Sequence, residues 1–126
     1  MSISDQDRRI VESLFHAMQA GLDGEEEMMG LFAEGATFIE PFSGEVRRHE
    51  GKAAIRDAFR DAADQPPDMK LNIDRVDLDG ERVRADWTCT SSVFPEPVRG
   101  ADLFTIEDGL ITHLEVIVTS MLPTDH

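Results

Sequence analysis

The chain has 126 residues, 40% of them hydrophobic, and a formal net charge of -14 from 26 acidic against 12 basic side chains. Such a length and composition fit one folded domain around one core, and the charge argues against nucleic acid or an anionic membrane as partner, since phosphate binding needs clustered Lys and Arg. No apolar run approaches the length of a membrane span, and charge stands at the N-terminus where a signal peptide needs apolar residues, so the cytoplasm is the expected compartment.

Ser4 followed by Asp7 predicts the start of a first helix, with Asp standing where a capping box carries Glu or Gln. Val11, Leu14, Phe15, Met18 and Leu22 recur at helical spacing and predict its apolar face; Gly21 and Gly24 mark its end. Asp23 can cap a second helix, with Glu25, Glu26 and Glu27 in its first turn, where the helix dipole favours negative charge. This acidic run reads as a solvated helix start, and Met28, Leu31 and Phe32 as the buried side. Residues 36–40 alternate as a short strand that Pro41 ends, and Ser43 and Gly44 read as a turn. Residues 51–63 return to helical spacing through Ala54, Ile55, Ala58 and Phe59, closed by Pro66 and Pro67.

The remainder reads as strands. Met69, Leu71 and Ile73 alternate, and the phase then slips to Val76 and Leu78, which predicts a bulge near Asp74 or Arg75. Asp79-Gly80 predicts a hairpin turn into a strand alternating through Val83, Ala85, Trp87 and Cys89. Cys89 is the one cysteine, so no internal disulfide can form, and it reads as a small buried apolar residue. Pro95 and Pro97 mark a further turn, followed by a strand at 100–106, a turn at Asp108-Gly109 and a last strand at 110–120. Early helices and a late antiparallel meander predict an α+β domain spanning the whole chain, its sheet wrapped around an apolar pocket.

Two carboxylates share a strand face with apolar neighbours: Glu40 has the parity of Ala36 and Phe38, and Asp102 that of Phe104 and Ile106. Each therefore points toward the apolar side of the sheet. Burying an ionised carboxylate without a partner is costly, so two acids in one dry pocket can differ in state, the more hydrated acting as a base and the drier one, protonated, donating a hydrogen bond.

At these residues the sequence resembles a known family. The stretch Ala36-Thr37-Phe38-Ile39-Glu40-Pro41-Phe42, the segment Gly51-Lys52-Ala53-Ala54-Ile55-Arg56-Asp57-Ala58-Phe59, and Asp108-Gly109-Leu110-Ile111 look like the nuclear-transport-factor-2-like superfamily. That group includes ketosteroid isomerases, SnoaL-like polyketide cyclases and limonene epoxide hydrolases. The resemblance covers nearly the whole chain. It implies a cone-shaped, cystatin-like fold, with three N-terminal helices packed on a curved, mostly antiparallel sheet; the fold itself carries many reactions.

By position the match is to the ketosteroid isomerase-like, SnoaL-like branch. Glu40-Pro41 stands where that family has the acid that moves a proton beside a ketone, and Asp102 where a second acid donates a hydrogen bond to the enolate oxygen. Ketosteroid isomerase is the established case of a carboxylic acid kept neutral by an apolar site, and the resemblance implies the same state for Asp102. The resemblance implies a cofactor-free isomerase or cyclase acting on a small apolar carbonyl compound. Two departures stand out: the family base is Asp, and the family's tyrosine on the first helix has no counterpart, since the chain contains no tyrosine. His16 or Leu14 takes that place depending on the alignment, and helical phase favours Leu14, with His16 pointing to solvent.

Two alternatives remain. One is a ligand-binding or dimerisation module without chemistry. The other is epoxide hydrolase-like use of Arg84 and Asp86, which resemble the Arg-x-Asp of limonene epoxide hydrolases, although Val116 stands where that family's further acid belongs. Arg84 and Asp86 have the parity opposite to Val83, Ala85 and Trp87, which reads as an outward pair, with Thr88, Thr90 and Arg99 on the same outer face. His113 with Glu115, and His49-Glu50, do not form a metal-ligand set of recognisable spacing, His126 is terminal, and no glycine-rich phosphate loop is present, so no metal or nucleotide is expected. The expected pocket lining is Leu14, Phe15, Phe32, Phe38, Trp87, Phe104 and Leu114, the expected ligand a small apolar molecule, and the assembly the resemblance implies a homodimer.

Overall fold

The computed structural model describes residues 3–41, 45–62 and 68–120. Helix α1 spans Asp5–Gln19, and the Ser4 side chain accepts a hydrogen bond from the Asp7 backbone N–H, satisfying one of the free donors of the first turn. A 3-10 turn, Gly21–Gly24, and a short helix α2, Glu25–Met29, follow. The second helix is thus shorter than its apolar spacing predicts. Phe32 opens a strand instead of closing a helical face, and Asp23 lies inside the 3-10 turn rather than capping α2, whose N-cap is Gly24 with no side-chain hydrogen bond. Leu22, expected on the buried face of α1, is 64% exposed because the chain leaves the helix before reaching it.

Strand β1 covers Phe32–Glu40, β2 Arg47–Glu50, helix α3 Lys52–Ala62, β3 Lys70–Asp79, β4 Arg82–Thr90, β5 Val98–Glu107 and β6 Leu110–Val118. The last four strands form the expected antiparallel meander. The sheet order is β2-β1-β6-β5-β4-β3, with β1 joined to β6 in parallel, so the sheet is mixed. Strand β2 has no apolar alternation and exists by pairing antiparallel with β1. The expected turn at Ser43-Gly44 and helix stop at Pro66-Pro67, like His126, fall outside the described residues.

Register shifts curve the sheet. One lies between Ile73 and Arg75, where the phase slip predicts it; others lie between Phe32 and Thr37 and between Thr105 and Ile106. The shifts at 73–75 and 105–106 each leave one extra residue, and the one on β1 leaves a longer mismatched stretch; such irregularities bend a strand. The concave face meets the helices: α1 contacts β3, α3 contacts β1 and β2, and α2 bridges α1 and α3. On β4 the predicted alternation is complete, with Val83, Ala85, Trp87 and Cys89 buried between half-buried neighbours.

The acidic start of α2 does more than face solvent. Arg56 of α3 donates to Glu25 and Glu26 at 2.6 and 2.8 Å, and Arg60 donates to Glu25 at 2.5 Å, tying α2 to α3. Glu27 lies 3.4 Å from His16, whose side chain is 77% exposed, as helical phase predicts. Among the described residues no helix is long and apolar enough to cross a membrane.

Candidate functional site

Between the concave sheet and the helices lies a cavity of about 1160 Å³. That is at or above the roughly 300–1,000 Å³ of small-molecule sites. Of the residues expected at its wall, Phe15, Phe38, Trp87 and Leu114 line it. Leu14, Phe32 and Phe104 do not: at 0%, 1% and 0% exposure they fill the packed core behind the wall. Residue spacing identifies the inward face of an element but not its depth, so core and cavity positions look alike in sequence.

Glu40 and Asp102 both line this cavity and are 2% and 3% exposed. Their surroundings differ in kind. Glu40 ends β1, opposite Arg47 of β2, and His49 sits opposite Phe38. Alternate residues share a face, so both β2 side chains reach the carboxylate. Arg47 approaches Glu40 Oε2 with Nε at 3.0 Å and Nη2 at 2.9 Å, and His49 Nε2 lies 2.9 Å from the same oxygen. The imidazole also stacks on Phe38, ring centroids 5.7 Å apart, which fixes its plane. A fixed guanidinium charge favours the ionised form of a buried carboxylate.

Among the described residues no cation pairs with Asp102. Trp87 Nε1 donates to its Oδ1 at 2.9 Å, and this is its one hydrogen-bond partner among the described residues. Burial pushes its carboxyl up to about 7, against the smaller opposing pull of the indole N–H. Cys89, also on the cavity wall, has its thiol pushed up by burial, which matches an apolar filler rather than a nucleophile. Among the described residues no three His, Cys, Asp or Glu side chains come together as a metal-holding group, and Glu115 is instead paired with Arg82 at 3.2 Å.

Arg84 and Asp86 do not enter the cavity. They bond to each other at 3.0 Å and are about one-third exposed, on the opposite face from Ala85 and Trp87, while Val116 lines the cavity. An epoxide hydrolase-like role for Arg84 and Asp86 needs both inside, so strand parity and geometry remove that alternative.

The residues that sequence reasoning missed are Arg47 and His49. The segment that carries them is wholly polar, so no apolar alternation marks it as a strand, and both reach Glu40 only through the pairing of β2 with β1. Arg47→Met is expected to lower stability by roughly 1–3 kcal/mol, since it removes a guanidinium that hydrogen-bonds a buried carboxylate. The drop should appear in the denaturation midpoint and shrink when Glu40→Gln is added; an unchanged midpoint would mean that Arg47 does not hold Glu40 in solution.

A family model for the SnoaL-like domain matches residues 11–114. Among solved structures, a candidate ketosteroid isomerase from Kribbella flavida is 20% identical, with a TM-score of 0.73 over 97% of this chain and 84% of that one. A candidate SnoaL-like polyketide cyclase from Jannaschia is 16% identical, with a TM-score of 0.76 over 94% and 90%. A protein of unknown function with a cystatin-like fold from Methylobium petroleophilum is 17% identical, with a TM-score of 0.74 over 100% and 84%. At these identities the likeness establishes the fold. No curated protein matches the sequence.

Proposed function

The chain belongs to the SnoaL-like domain family, and from that premise we propose that its cavity binds a small apolar carbonyl compound and moves a proton on it without a cofactor. The observation that carries this reading is the pair of buried acids on one cavity, one beside a guanidinium and the other in apolar surroundings. Ionised Glu40 removes a hydrogen from the carbon next to the carbonyl. The C–H electron pair moves into the new carbon–carbon double bond, the carbonyl π pair moves to oxygen, and the O–H of protonated Asp102 hydrogen-bonds that oxygen. Returning the proton from Glu40 to the same or another carbon completes exchange or isomerisation and restores both acids.

Deuterium exchange into apolar cyclic ketones, followed by proton NMR, tests this. Exchange should exceed the rate in buffer, and the excess should fall as pH rises through about 7, when Asp102 loses its proton. Buffer-rate exchange across ketones of one to four rings would overturn the reading.

A second reading, a binding pocket without chemistry, draws support from Leu14. It is fully buried, carries no donor, and stands where the family resemblance puts a tyrosine. One missing oxyanion donor weakens the transition state by about 3–4 kcal/mol. Saturable ketone binding with no exchange would favour this reading.

A further inference from the structure

We propose that Trp87 is the positioning residue of the site: its indole N–H holds Oδ1 of Asp102, so that Oδ2 is the oxygen offered to a hydrogen-bond acceptor on the ligand. This rests on the proton-transfer reading for its chemical purpose and on separate geometry for the contact itself.

Three placements build the contact. Trp87 and Gly100 are direct partners across β4 and β5, and Ala85 is the partner of Asp102. The indole must therefore lie across β5 to reach an aspartate two residues along from its own partner, and it does so at 2.9 Å in a buried setting. Gly100 makes this possible. A Cβ there would run into the six-membered ring of Trp87 on one side and the Ile117 carbonyl oxygen on the other. The small Ala85, fully buried, leaves room beside the carboxyl. With Oδ1 occupied by a donor, the acid proton belongs on Oδ2, since a carboxyl oxygen accepting an N–H is the poorer site for it. Asp102 thus presents a hydroxyl of fixed direction rather than a rotating carboxyl.

Trp87 is the one tryptophan in a chain with no tyrosine, so its emission reports on this contact without interference from other fluorophores of its kind. Other titratable or charged groups line the cavity: Glu40 with Arg47 from β1 and β2, Glu115 from β6, Glu25 with Arg60 and Asp61 from the helices, and Cys89 from β4. Asp102→Asn keeps all of these and removes only the Asp102 titration. Indole emission of the full chain is expected to change in one step centred at about pH 7, and the step should be absent in Asp102→Asn. In Trp87→Phe the Asp102 carboxyl carbon, followed by carbon-13 NMR, should titrate at higher pH than in the wild type, because the lost N–H favoured the ionised form.

Emission that does not respond while Asp102 titrates, or an emission step that persists in Asp102→Asn, would overturn the proposal. So would an unshifted carboxyl titration in Trp87→Phe. If Trp87→Phe does not fold, the emission comparison decides alone. Neither readout uses a substrate. Loss of both with ketone exchange intact would refute the positioning role and leave the reaction standing, and the reverse pattern would refute the reaction alone.

Discussion

Asp102→Asn is expected to stabilise the folded protein relative to the wild type progressively as pH rises. In the unfolded chain the carboxyl ionises near 3.8, whereas in the fold burial holds its proton up to about 7. Between those values the folded state binds more protons than the unfolded state, so stability falls with rising pH, at about 1.4 kcal/mol per pH unit. Asp102 therefore contributes least penalty below 3.8, and its full penalty is reached above about 7. Roughly 4 kcal/mol separates the two ends, an order-of-magnitude figure for one fully buried group. Asn keeps the shape and still accepts the Trp87 N–H, but carries no charge to bury. Urea denaturation at several pH values should show the variant gaining on the wild type across this window. Parallel stability curves for the two proteins would mean that Asp102 ionises in the fold as freely as in the unfolded chain.

The second large effect is catalytic. Glu40→Gln should cut ketone α-hydrogen exchange by about 10²–10⁴-fold, the usual contribution of a positioned general base. This is roughly 3–5 kcal/mol of barrier. Gln preserves volume and its carbonyl oxygen can still accept from Arg47, so the fold should survive and the loss should fall on the rate. A carboxylate paired with a guanidinium is a weaker base than a free one, which predicts faster exchange for ketones whose α-hydrogens are more acidic. Exchange at the wild-type rate in Glu40→Gln would remove Glu40 from the reaction.

Much of this site was legible because strands encode direction in parity. Alternation alone set Glu40 with Phe38, and Asp102 with Phe104, on the concave side, and it set Arg84 and Asp86 on the convex side. The bulge at residues 73–75 showed as a slip of the same pattern. Parity failed where no apolar pattern existed. Arg47–Glu50 is wholly polar, so nothing local marks it as a strand, and its two partners of Glu40 appear only once β1 pairs with it. Met28, Leu31 and Phe32 fit helical spacing, yet α2 ends at Met29 and Phe32 opens β1. Leu14 and Phe104 were misplaced for a different reason: both face inward, but the wall of the cavity is one layer nearer the ligand space. The Trp87–Asp102 contact depends on strand register, which neither segment specifies by itself.

The proposed reaction requires two buried acids in one cavity to hold opposite protonation states. Carbon-13 NMR of the Asp102 side-chain carboxyl, titrated in the wild-type protein and assigned by its loss in Asp102→Asn, measures the less ordinary half of that claim. A midpoint at about pH 7 is the predicted result, and a midpoint near 3.8 would contradict it.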